Sequence, residues 1–240
     1  MSDPLHETEL DRARFPEFRD RILAHDAAGP GDHAPRLLPG GVRWRLPRPR
    51  ARWTVSFDRV LLGRRSQRRL SPQLPSREVL ARLLLLSHAV HAAQGVGPTP
   101  SAGGLQALEL YLAAWDPQAW LPAGCYHYDR VEHALVRLQE GDTREAWRER
   151  LPSLDQFEGG ALLWVLVGDL ARIGPKYGER GARFALLEAG HLMQNLCLAS
   201  QSLGLCTLPL GGLLEGEAAR RLLLPRSDRV LYAGALGAPV

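Results

Sequence analysis

The stretch from about Gly181 to Leu203 sets the strongest constraint on what this chain can fold into. Phe184, Leu186, Leu187, Ala189, Leu192, Met193, Leu196, Leu198, Ala199 and Leu203 fall on nearly every side of a helix drawn through it, and a helix that is apolar all round must be buried. A chain of 240 residues, 45% of them hydrophobic, can bury a sizeable core as one main domain. Covering this helix on every side takes more than the remaining residues supply. The expectation is a homodimer with the helix near its centre.

The first 55 residues are polar and broken by Gly29-Pro30-Gly31, Pro35, Pro39-Gly40-Gly41, Pro47 and Pro49, which predicts an irregular Pro/Arg-rich arm over residues 1–55. Residues 56–240 read as one compact α+β domain. Helices are predicted near Phe57 to Leu62 and from about Arg77 to Ala93, with Ser76 as cap. Pro98 to Gly104 reads as a turn. Strand-like apolar runs follow at Leu108 to Trp115, His133 to Leu138, Ala161 to Val167 and Arg229 to Leu236. Helix and strand mix without a regular βαβ repeat.

A net charge of +4 and a pI near 9.3 arise mainly from arginine, because Lys176 is the sole lysine. The run from Arg43 to Arg50 interleaves Arg with Trp44, a pattern that suits single-stranded nucleic acid. No aromatic platform elsewhere supports that use, and an arm lying across a neighbouring subunit accounts for it better. No apolar run approaches the roughly 20 residues of a membrane span, and the start MSDPLHETEL lacks a signal-peptide pattern. A soluble, cytoplasmic protein is expected, with no nucleic acid or membrane partner. Cys125, Cys197 and Cys206 are odd in number and widely spaced, which predicts reduced thiols. His88, His91, His127, His133 and His191 lack the companion spacing of a metal site, so no metal is expected.

Four elements could carry chemistry. Arg64-Arg65-Ser66-Gln67-Arg68 gathers guanidinium forks and a hydroxyl suited to a phosphate, although solvated arginines at a helix end give the same pattern. Pro100-Ser101-Ala102-Gly103-Gly104 is a small-residue turn that either lets a planar ligand approach the backbone or is a plain loop. Leu208-Pro209-Leu210-Gly211-Gly212 offers paired glycines whose N–H groups can face a ring nitrogen, or is only a turn. Lys176-Tyr177, read as part of the loop before the long helix, sets an amine beside a phenol. In a partly buried, arginine-rich site the amine could serve as general base with the hydroxyl relaying the proton; a surface lysine is the alternative. Neither GxGxxG nor GxxxxGK[ST] is present.

In order and spacing these pieces resemble the nitroreductase superfamily, and within it the SagB/ThcOx-type azoline dehydrogenases. The resemblance rests on Arg64-Arg65-Ser66-x-Arg68, Pro100-Ser101-Ala102-Gly103 followed by Leu108-Glu109-Leu110-Tyr111, and Gly124-Cys125-Tyr126-His127-Tyr128-Asp129 with His133-Ala134-Leu135. It continues through Lys176-Tyr177-Gly178-x-Arg180-Gly181-x-Arg183-Phe184, Glu188-Ala189-Gly190-His191-x-x-Gln194-Asn195 and Leu203-Gly204-Leu205. Leu5-His6-Glu7-Thr8 matches the start of that branch.

The resemblance implies a nitroreductase-like α+β fold, a mixed antiparallel central sheet flanked by helices, and a homodimer with two FMN molecules at the interface. By it, Arg64, Arg65, Ser66 and Arg68 would contact phosphate, ribityl chain and pyrimidine edge, and Pro100, Ser101, Ala102 and Gly103 would come from the partner subunit. Leu210, Gly211 and Gly212 would lie by flavin N5, and Gln194 or Asn195 would support the isoalloxazine or the dimer core. Lys176 first, and Tyr177 second, would take the Cα proton of a thiazoline or oxazoline in a peptide or carrier-bound substrate, with a cyclodehydratase as a further partner. Two rival functions stay open: an NAD(P)H-dependent nitro or quinone reductase, and a flavin-poor scaffold subunit. The chain ends at Gly237-Ala238-Pro239-Val240 without the basic extension many nitroreductases use on the phosphate; Arg226 or Arg229 is the expected substitute.

Overall fold

The computed structural model describes residues 8–29, 36, 38, 40–48, 55–90, 96–115, 120–141 and 144–240. Its elements in chain order are α1 (Phe15–Ala27), β1 (Arg43–Arg45), α2 (Phe57–Gly63), β2 (Arg69–Leu70) and α3 (Arg77–Ser87). A 3-10 turn (Ala102–Gly104) leads into β3 (Leu108–Ala114), β4 (Gly124–Asp129) and β5 (Ala134–Glu140). Then come α4 (Arg144–Arg148), a second 3-10 turn (Pro152–Gln156), β6 (Glu158–Gly159), β7 (Leu162–Asp169), α5 (Leu170–Tyr177), α6 (Arg180–Ser202), β8 (Cys206–Leu210), α7 (Glu215–Arg221) and β9 (Asp228–Gly237).

Seven strands form one sheet in the order β1-β5-β4-β3-β7-β9-β8, and every pairing in it is antiparallel. The mixed character lies outside it, in the short parallel pair β2–β6. The central strands β3 and β7 are buried on both faces, which is why they read as unbroken apolar runs. Side chains alternate along a strand: Leu108, Leu110 and Leu112 with Leu162, Trp164 and Leu166 face α3 and α6, while Tyr111 and Ala113 with Leu163, Val165 and Val167 face α4 and α7.

The predicted long helix is α6. Ala185, Glu188, Ala189, Leu192, Leu196 and Ala199 are buried, whereas Leu186 and Leu187 are 53% and 55% exposed. It is therefore buried on one side and carries an apolar outer stripe. The arm departs from the irregular prediction. Pro16 enters the first turn of a 13-residue helix, α1, none of whose residues is buried, so no apolar periodicity announced it. Trp44 and its neighbours form β1 at the sheet edge, where Trp44 packs edge-on to Tyr126 with centroids 5.4 Å apart, so the arm joins the domain. Helix α3 stops at Ser87, with His88 at its C-cap, short of the predicted Ala93. The predicted features at residues 5–7, 30–31, 35, 39, 49–50 and 91 lie outside the described residues.

Beneath the sheet's upper end sits a buried charged cluster. Glu109 accepts from His127 Nε2 at 2.9 Å and from Arg172 Nη2 at 2.8 Å. Burial alone would raise the Glu109 pKa, but His127, Arg130 and Arg172 hold it down to about 2. Arg36 donates to Asp228 at 2.6 Å and to the Tyr111 hydroxyl at 2.9 Å, matching the fully buried Asp228 carboxylate with a charge. His88 is nearby; burial first, and the charge of Arg130 second, push its pKa down to about 3.

Two predictions follow from this packing. A Cβ on Gly234 would stand 2.1 Å from Trp164 Cζ2 and 2.8 Å from the Leu208 carbonyl oxygen, so Gly234→Ala should lower unfolding free energy by about 2 kcal/mol; urea unfolding indistinguishable from the parent would refute this packing. His88 stays neutral in the fold, with its pKa below the ordinary 6.5, so the unfolded chain binds the extra proton as pH falls from about 6.5 toward 3. Melting temperature should fall over that range, and His88→Gln should flatten the slope.

Candidate functional site

Lys176 and Tyr177 do not lie in a loop. They form the last turn of α5, which is capped at its start by Asp169 accepting from the Arg172 N–H and anchored by buried Ile173. Gly174 and Pro175 read as loop punctuation in the sequence, but the cap and the buried isoleucine outweigh them. Gly178, at φ +58°, ends the helix.

The amine of Lys176 donates to Asp26 Oδ1 at 2.6 Å. A carboxylate from α1, not an arginine cluster, is thus its nearest charged partner, and this hydrogen bond holds the Asp26 carboxyl below its ordinary pKa. Asp26 was invisible to sequence reasoning because it belongs to the segment taken as irregular. The Tyr177 ring packs edge-on against Phe184 with centroids 4.8 Å apart and stacks on Phe18 at 6.3 Å. Burial raises its hydroxyl pKa, with Lys176 opposing in part.

The small-residue turn comes to the same place. Gly103, at φ +59°, lies so close that a Cβ there would stand 2.5 Å from Tyr177 Oη and 3.2 Å from Lys176 Nζ; only glycine leaves room for both. The loop runs back along α6. Burial raises the Glu188 carboxyl above its ordinary pKa, with Ser101 and the Ala102 backbone opposing in part, and Asn195 Nδ2 donates to Thr99 Oγ1 at 3.0 Å. Ser101 Oγ accepts from the Gln106 N–H at 2.7 Å, and the Gln106 carbonyl accepts from Arg130 at 2.9 Å and Arg172 at 2.7 Å. Pro100 is exposed, and Gln194 is half-buried on α6.

The other predicted residues lie elsewhere. Arg64 caps α2, and Arg65 donates to the Leu62 carbonyl at 2.7 Å while its own carbonyl accepts from Cys206 Sγ at 3.4 Å. Arg65, Ser66 and Arg68 are exposed. This basic run therefore borders the start of edge strand β8. At the other end of β8, Leu210 and Gly211 line a hollow of about 410 Å³ against Leu186, Ala189 and Gly190 of α6. Gly212 is pinned by Ser153, whose hydroxyl donates to the Gly212 carbonyl at 2.9 Å. Five residues of strand separate the two features, about 16 Å. Arg229 lies near the start of β9, whereas Cys206 pairs with Gly237 at its end, eight residues or about 26 Å away, so within one chain Arg229 stands apart from the Arg64–Arg68 run.

Helix α6 keeps the two halves apart. Phe184 meets Tyr177 near its start, and Gln201 lies against Gly63, just before Arg64, near its end; the seventeen residues between them span about 26 Å. Within one chain the Arg64–Arg68 run and the Lys176–Tyr177–Gly103 cluster are not brought together. Two of the histidines are held in the core: His127 pairs with Glu109, and His133 Nδ1 with the Tyr128 hydroxyl at 2.7 Å. Among the described residues no group of His, Cys, Asp and Glu is arranged to hold a metal ion, the three cysteines are buried and form no disulfide, and no helix is long and apolar enough to cross a membrane.

Comparison with known proteins gives this architecture a family. A candidate nitroreductase of Methanocaldococcus jannaschii is 31% identical over 166 residues, covering 68% of this chain and 82% of that protein. The microcin B17-processing protein McbC of Escherichia coli is 28% identical over 134 residues, 53% of this chain, and the matched part spans about half of McbC, 48%. Among solved structures, a candidate nitroreductase of Ralstonia eutropha superposes with a TM-score of 0.72 at 24% identity, covering 88% of this chain and 99% of the other. A chain of the E. coli microcin synthetase McbBCD complex with truncated pro-MccB17 bound gives 0.63 at 19% identity, covering 97% and 98%. An oxidoreductase containing FMN gives 0.54 at 15% identity, covering 80% of each chain. The nitroreductase family model matches residues 61–238, and the chain belongs to the nitroreductase family.

Proposed function

We propose that the protein is an FMN-dependent dehydrogenase that oxidises azoline rings, thiazolines or oxazolines, in a peptide or carrier-bound substrate. The observation that carries this reading is the meeting of Lys176, Tyr177 and Gly103, where an amine and a phenol are held at one point beside a turn with no side chain in the way. A simple flavin reductase has no need of such a pair; removal of a carbon-bound proton does. The likeness to McbC and to a chain of the microcin synthetase complex supports the substrate class and a cyclodehydratase partner.

The residues present fit FMN. Exposed Arg65, Ser66 and Arg68 at one end of β8 suit a phosphate, and at the other end a Cβ built on Gly211 would touch nothing within 4 Å, so the backbone is open to a flat ring about 16 Å away along the strand. When bound, FMN supplies the two-electron acceptor. The chain's own part is to orient the azoline with its Cα–H toward Lys176, to receive that proton on the amine, and to exclude water with Phe184. Tyr177 Oη, close enough to share the turn at Gly103, passes the proton onward or holds the substrate by a hydrogen bond.

A second copy would complete the site. The two functional clusters lie at opposite ends of α6, and a two-fold axis across that helix would set the Arg64–Arg68 run of one chain beside Gly103 and Lys176 of the other. Leu186 and Leu187 on α6, and Phe57 and Leu62 on α2, are all more than half exposed and offer the apolar surface such a contact needs. The likeness to the M. jannaschii protein favours one rival, a nitro or quinone reductase driven by NAD(P)H.

The discriminating experiment is turnover of a thiazoline peptide by flavin-loaded protein and by Lys176→Ala. The variant should retain its flavin spectrum and lose about 100-fold or more in rate, the typical contribution of a general base. Unchanged dehydrogenation would overturn Lys176 as the base, and NADPH-driven quinone reduction without azoline turnover would favour the rival.

A further inference from the structure

Helix α1 lies over the Lys176–Tyr177 pair. Phe18 stacks on the Tyr177 ring, and the Arg180 guanidinium stands 5.9 Å from the Phe18 ring centroid. A Cβ on Gly178 would touch the Arg21 guanidinium at 3.3 Å. Arg180 and Arg183 of α6 donate to the carbonyl and hydroxyl of Thr8, ahead of α1, at 2.7 and 3.0 Å. The Lys176 side chain is only 12% exposed, and its amine points at Asp26, whose side chain is 52% exposed.

Against this, α1 buries none of its own residues. It is attached by ion pairs, ring contacts and hydrogen bonds at its margin, which exchange for water at small net cost. A helix so attached is among the first elements of a fold to open.

We propose that Asp26 is a positioning residue: it clamps the Lys176 ammonium to α1, and the lysine becomes available for chemistry only when α1 lifts and the Asp26–Lys176 ion pair opens. This rests on the reading of Lys176 as the base. An ammonium has no lone pair with which to accept a carbon-bound proton, and the carboxylate that lies 2.6 Å from the Lys176 amine favours that charged form for as long as the pair is closed. Lifting α1 also removes Phe18 from the face of Tyr177. One motion therefore admits a substrate segment to the pair and frees the amine, and the ring that enters takes the place Phe18 leaves.

Because Lys176 is the sole lysine, amine acylation of the full-length chain reports on this one side chain, with the α-amino group as internal reference. Labelling by an N-hydroxysuccinimide ester, read by mass spectrometry, is compared for the parent, Asp26→Asn and Asp26→Glu, with hydrogen exchange followed over residues 15–27. Asp26→Asn should raise the Lys176 labelling rate at least about fivefold and speed exchange in α1 but not in β7, because the clamp on the ammonium is lost while the sheet is untouched. Asp26→Glu should behave as the parent. Equal labelling in all three proteins overturns the proposal. Labelling needs no turnover, so its outcome is independent of whether Lys176→Ala abolishes dehydrogenation.

Discussion

The packing of one face of α6 against the central sheet is the contact on which the rest of the structure depends. Ala189, Leu192, Leu196 and Ala199 lie against the side of the sheet formed by Leu110, Leu112, Trp164 and Leu166, and small residues among them let helix and strands approach closely. From that fixed rod the functional elements are hung at set heights. Its start meets Tyr177, its middle receives the loop through Glu188 and Asn195, and its end backs the turn that leads into Arg64.

A second constraint operates at right angles to the first. The cluster of Glu109, His127, Arg172 and Arg130 ties strands β3 and β4 to α5 and, through the Gln106 carbonyl, to the loop that carries Gly103. Gln106 holds φ +49°, a conformation that a non-glycine residue adopts only when its surroundings impose it. Two guanidiniums on one carbonyl supply that imposition. Arg172 is paired with Glu109 and Asp169, and Arg130 donates to the Leu108 and Gln106 carbonyls, so the buried network fixes one arrangement of loop and helix.

Much of this was legible in the sequence, and what was not has identifiable causes. The α6 boundaries, four of the strands and the order of the motifs follow from periodicity and turn residues. Strand β4 was hidden because His127 and Asp129 interrupt its apolar character, although both are buried and paired. Strand β8 contains Pro209, which reads as a breaker; it is tolerated because β8 is an edge strand. Helix α1 has no apolar stripe, and the role of Asp26 depends on a contact 150 residues away, which no local pattern encodes. The Lys-Tyr pair stands out in the sequence, but not as part of a helix.

The central claim is that the two ends of α6 serve one reaction only through two copies of the chain. Mixing Arg68→Ala protein with Lys176→Ala protein after reversible dissociation tests it directly. If each site takes its phosphate grip from one subunit and its lysine from the other, the mixed dimer regains one intact site, and an equimolar mixture should recover about one quarter of the parent's thiazoline dehydrogenation. If the mixture stays as inactive as either variant alone, the site is contained within a single chain and the account is wrong.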